Sequence, residues 1–141
     1  MLSLKFFRFL IISVVLSSTQ LMASTEKPVK GRFVITQKGE TLNDGSRESI
    51  TWLFNIDGNG GGALKNSSWH AFFTCDGVYK ITQDSGQLEF MWDRNANPKK
   101  VCYTPSPQFI MKKENGHWLI KSKLFPWGDG GWEQIEKITE N

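Results

Sequence analysis

Residues 54–75, FNIDGNGGGALKNSSWHAFFTC, hold the side chains whose types and spacing come nearest to chemistry. Ser67, Ser68 and His70 offer a nucleophile and a base. Alternate residues of a strand share a face, so Ser68 and His70 would stand together and Ser67 would not. A third group to orient the histidine is not evident, and no G-x-S-x-G elbow occurs. A hydrolase built on Ser68 and His70 is therefore the minor alternative to a non-catalytic protein. The same stretch also begins like a calcium loop, with Asn55, Asp57, Asn59 and Gly60 in EF-hand register. The register fails at the twelfth position, where Asn66 stands in place of a bidentate glutamate. Turn chemistry accounts for these residues without an ion, since Asp57 and Asn59 can bond their own backbone while glycines reverse the chain. CxxC and HxxxH spacings are absent as well, and neither a metal nor a cofactor is expected.

Aromatic side chains in irregular segments are the stronger functional signal. The run FPWGDGGW, residues 125–132, places Trp127 in a glycine-rich turn, where it must either fold down as a lid or stand out as a contact anchor. Trp69 and His70 form a second group, and PKKVCYTPSP (98–107) adds Lys99, Lys100 and Tyr103. If these segments meet at one end of the fold, Trp69, His70, Tyr103 and Trp127 would rim a ligand-binding mouth. Cys75 and Cys102 are the two cysteines, and in an exported chain two cysteines point to a bridge rather than a reactive thiol.

Export is read from residues 1–23. Lys5 and Arg8 give a positive start, Phe9–Leu16 an apolar run too short to cross a bilayer, and Ser17–Ala23 a small and polar exit. The expected organisation is a signal peptide over 1–23, a flexible lead-in over 24–30 and one domain over 31–141, periplasmic or secreted and without a stable membrane anchor. Loss of Lys5 and Arg8 takes the 17 basic residues to 15 against 14 acidic ones, so the net charge falls from +3 to +1. So small a charge gives no general pull toward nucleic acid.

The elements that must position these groups read as strands. Ile50, Trp52, Phe54 and Ile56 share one face of Glu48–Ile56; Leu88, Phe90 and Trp92 share one of Gln87–Asp93; Trp118, Ile120 and Leu124 share one of His117–Leu124. Weaker patterns fit Arg32–Gln37, Ala71–Cys75, Val78–Gln83, Val101–Thr104, Gln108–Lys112 and Trp132–Ile138. The last could equally be a short helix, because Trp132, Ile135 and Ile138 recur every three residues. Asp-Gly and Asn-Gly pairs separate the runs and supply hairpin turns. About eight short strands joined this way predict an all-β, antiparallel up-and-down barrel.

The run ITWLFNIDGNGGGALKNSSWHA, with a later W-L-I strand after Asn115-Gly116, resembles the small lipocalin-like barrels exported by bacteria. The chain is also similar in size, barrel architecture and disulfide to periplasmic inhibitors of lysozyme. The first resemblance implies a small apolar or amphiphilic ligand taken into the barrel mouth. The second implies a protein partner, with no inhibitory residue carried over from that family; the alternative expectation is an inhibitor or immunity protein whose FPWGDGG loop enters the cleft of a cell-wall hydrolase or toxin. A non-catalytic binding protein is the function expected from the sequence.

Overall fold

The computed structural model describes residues 26–69, 75–124, 127 and 131–140, with the backbone alone of Trp69. Eight strands follow one another: β1 (Gly31–Thr41), β2 (Arg47–Ile56), β3 (Gly61–Trp69), β4 (Gly77–Asp84), β5 (Gln87–Trp92), β6 (Phe109–Glu114), β7 (His117–Ser122) and β8 (Glu133–Ile138). Each pairs antiparallel with its neighbours in sequence, and β8 returns to β1 through Arg32↔Ile138 and Val34↔Glu136. The sheet is thus a closed up-and-down barrel with no helix among the described residues, as the alternating pattern predicts. Closure leaves no long unpaired edge.

Period two sets the register. Ile50, Trp52, Phe54 and Ile56 all turn inward and are at most 6 % exposed. They meet Phe33 on one side and Leu64 on the other through the pairs Phe33↔Phe54 and Phe54↔Leu64. Tyr79, Ile81, Leu88, Phe90, Phe109, Met111, Ile120 and Ile135 complete a buried interior. Phe109 is its hub, with ring centroids 5.0 Å from Phe54, 5.8 Å from Trp127, and 5.9 Å from both Trp52 and Tyr79. These rings meet mostly edge to face, the geometry that aromatic quadrupoles favour.

The two ends of the barrel differ. At the hairpin end the connections are Asp57–Gly60, Ser85-Gly86 and Asn115-Gly116. Asn115 and Gly116 both take positive φ, 51° and 80°, which matches the twist of the strands they join. Asp57 Oδ1 accepts from the amides of Asn59 at 2.6 Å and Gly61 at 3.1 Å, so the calcium-like residues are a self-bonded turn. At the loop end the connections are longer and span 42–46, 70–76, 93–108 and 123–132.

Three expectations are corrected or resolved. Gly61–Trp69 is a full strand that the alternation did not announce, because only Leu64 among its inward positions is large and apolar. Gly62 faces in where a Cβ would lie 2.7 Å from Ile81 Cδ1 and from the Asn55 carbonyl oxygen, so the site needs glycine and leaves no hydrophobic trace. Val101–Thr104 is loop, since prolines at 98, 105 and 107 interrupt any ladder around it. Between the strand and helix readings of 132–138, the structure has strand β8. Residues 71–74 of the expected Ala71–Cys75 strand lie outside the described residues.

Candidate functional site

The topology brings Trp69, Tyr103 and Trp127 to the same, loop end of the barrel. His70 lies outside the described residues, as do Phe125, Pro126 and 128–130 of the FPWGDGGW run. Trp127 takes the first of its two alternatives. It is 5 % exposed, folded into the barrel against Trp52 at 5.5 Å and Phe109 at 5.8 Å. It is a stopper over an interior lined by the protein's own buried aromatic side chains. Trp132, at the other end of that run, lies outside between Lys112 and Lys121, whose Nζ atoms sit 4.4 and 4.6 Å from its ring centroid.

Tyr103 is the opposite case. It is 92 % exposed and Val101 is 66 % exposed, on a loop that is otherwise strongly anchored. The Cys75–Cys102 disulfide, with Cα atoms 5.2 Å apart, ties the residue between them to the base of β4. Two buried amides hold the loop's ends. Asn97 Oδ1 accepts from the Val78 amide at 2.9 Å while its Nδ2 donates to the carbonyls of Val78 and Asp93, both at 2.8 Å. Gln108 Oε1 accepts from the Trp92 amide at 2.8 Å, and its Nε2 donates to the Thr104 carbonyl at 2.8 Å. Ser122 Oγ donates in turn to the Gln108 carbonyl and accepts from the Leu124 amide, which couples the 93–108 loop to the segment carrying Trp127. Neither clamp was visible in the sequence, because a buried amide has no hydropathy signature. The only cue was polar residues flanking Pro98 and Pro107.

Charge on this loop is one-sided, with Arg94, Lys99 and Lys100 against Asp93 alone. Below it, Asp76 Oδ2 accepts from the Asn66 amide at 3.1 Å and its backbone carbonyl accepts from Lys100 Nζ at 3.3 Å. Asp76 Oδ1, Asn66 Nδ2 and Trp127 Nε1 are buried without hydrogen-bond partners among the described residues. Burial pushes the Asp76 carboxyl above its ordinary value of 3.8, against the opposing pulls of the Asn66 amide and Lys100. A raised folded-state pKa means that the folded protein holds this proton more tightly than the unfolded chain does. Asp76 therefore lowers stability as pH climbs from 3.8 through the raised value, and the loss persists above it. The difference in melting temperature between Asp76→Asn and the unmodified protein should widen in the variant's favour across that window. Thermal melts of both proteins over an acid-to-neutral pH series would check this, and a constant difference would contradict it.

Ser68 is exposed on β3 and, with His70 undescribed, the pair has no defined geometry. Among the described residues no cluster of three His, Cys, Asp or Glu side chains is arranged to hold a metal ion. No family model, curated protein or solved structure matches this chain.

Proposed function

We propose that the protein is a non-catalytic binding protein that works outside the cytosol by gripping a partner protein with its loop end. One observation carries the reading: Tyr103 and Val101 stand in solvent on a loop fastened by a disulfide and two buried amides. An exposed aromatic on a mobile loop would lose affinity to ordering, whereas one already held in place avoids that cost. Tyrosine supplies large, rigid contact area with a polar tip, and it is enriched among the residues that dominate interfaces. Lys99 and Lys100 beside it suit an acidic partner surface. The ring contacts that Trp127 makes inside the barrel favour this reading over a small apolar ligand there. The disulfide is compatible with a periplasmic or extracellular setting.

A partner of the cell-wall hydrolase or toxin class follows from the resemblance to periplasmic inhibitors of lysozyme. The test is stoichiometric inhibition of purified peptidoglycan hydrolases, lysozymes included, by the protein and by Tyr103→Ala. Loss of a central tyrosine at an interface costs about 2 kcal/mol, so the inhibition constant should rise roughly thirty-fold with the melting temperature unchanged. If no hydrolase is inhibited, the partner class is wrong. If one is inhibited equally by Tyr103→Ala, the assigned face is wrong.

A further inference from the structure

The outer wall of the barrel carries a feature that neither the interior nor the loop end explains. Met111 and Ile120 point inward and are fully buried, so their sequence neighbours Ile110, Lys112, Leu119 and Lys121 face out, all half-buried. The register sets Ile110 opposite Lys121 and Lys112 opposite Leu119, a checkerboard of apolar and cationic side chains across β6 and β7. Trp132 lies over it. Its backbone comes one residue before the Ile120↔Glu133 pair and so stands beside Lys121, yet its ring also meets Lys112 on β6 and thus spans β7. Even so, the residue is 36 % exposed, which leaves part of the indole free for a contact.

This arrangement holds more positive charge than it neutralises. Both ammonium groups sit within 4.6 Å of one ring centroid, where they repel each other. Among the described residues Lys112 pairs with Glu114, and Lys121 has no carboxylate partner. The next carboxylates of the outer wall, Glu89 on β5 and Glu136 on β8, pair with neither lysine. We propose that the outer face of β6–β8 docks an acidic segment of another protein, its carboxylates on Lys112 and Lys121 and its apolar atoms on Trp132. The sign follows from the uncompensated cation, since complementary charge decides which partner is accepted. The affinity follows from the ring. A lysine normally gives up rotamer freedom when it pairs, whereas these two are already held over the indole. Tryptophan is enriched among the residues that dominate protein interfaces. A convex barrel wall encloses no small molecule, and a net charge of +3 is too small to hold a nucleic-acid backbone. The face does not include Tyr103, so it does not rest on the loop-end reading.

The experiment is a ¹⁵N-correlation NMR titration of the purified protein, at low ionic strength, with the capped peptides Glu-Glu-Leu-Glu-Glu, Gln-Gln-Leu-Gln-Gln and Lys-Lys-Leu-Lys-Lys. The glutamate peptide should shift the Trp132 indole N–H and the amides of Lys112 and Lys121 saturably, and the other peptides should not. In the double variant Lys112→Gln, Lys121→Gln two exposed ion pairs are lost, so its affinity should fall about five-fold. Trp132→Ala keeps both charges but frees both side chains, and affinity should fall by at least as much, which charge alone would not produce. Shifts centred elsewhere, equal binding of the glutamine peptide, or undiminished affinity in either variant would overturn the proposal. So would binding confined to anionic phosphatidylglycerol vesicles and absent with the glutamate peptide, since that would mark a lipid-facing surface.

Discussion

Phe109→Ala is expected to destabilise the barrel by about 3–5 kcal/mol, the largest effect of any single truncation considered. Phe109 is fully buried, and its ring meets those of Trp52, Phe54, Tyr79, Phe90 and Trp127. Removing it takes away the transfer energy of the ring and leaves a hole between β2, β4, β5 and the Trp127 stopper. That surround cannot collapse easily, since each neighbour is itself held by a strand or by a second ring. A domain of this size has about 5–15 kcal/mol in total, so the variant should have a clearly lower urea midpoint. Trp127 would lose one of its two ring contacts among the described residues, and its fluorescence should shift as the stopper loosens. A loss below 1 kcal/mol would mean that the interior is not packed as described.

Breaking the bridge by Cys75→Ser, Cys102→Ser is the second large effect. The two cysteines lie 27 residues apart, and chain-entropy arguments for a loop of that length give about 3–4 kcal/mol. The functional consequence should be separable from the loss of stability. Asn97 and Gln108 still hold the ends of the 93–108 loop in the variant, while the middle around Val101 and Tyr103 is freed. At a temperature where the variant remains folded, affinity for the partner should fall because Tyr103 must now be ordered on binding. Denaturant unfolding read alongside inhibition measures both quantities. A variant that is weakened in stability but unchanged in affinity would show that the bridge serves the barrel and not the binding loop.

Much of the barrel was legible where strands bury one face. Ile50, Trp52, Phe54 and Ile56 fall on alternate positions, with Leu53 alone breaking the polar face opposite, and the structure turns those four side chains inward. The hairpin end was equally readable, since Asn115-Gly116 permits little except a tight reversal. Strand β3 was not, because its inward positions hold Gly62, Asn66 and Ser68 alongside Leu64. Its place is set by the neighbours that need a close approach, and that information is not local. The loop end was half legible. Its aromatic residues and prolines marked it as irregular, and the two cysteines suggested one tether. Whether Trp127 would enter the barrel or leave it depended on the space above Trp52 and Phe109, which no one-dimensional pattern encodes. The amide clamps at Asn97 and Gln108 were invisible for a related reason: their partners are backbone groups of β4 and β5, and backbone groups carry no sequence mark.

The idea on which the account turns is that Tyr103 is presented by a loop as stiff as the barrel beneath it. Backbone ¹⁵N relaxation across residues 93–108 measures that stiffness directly. The account predicts order parameters at Val101 and Tyr103 of about 0.85, level with those of β4 and β5. Values below about 0.6 there would contradict it.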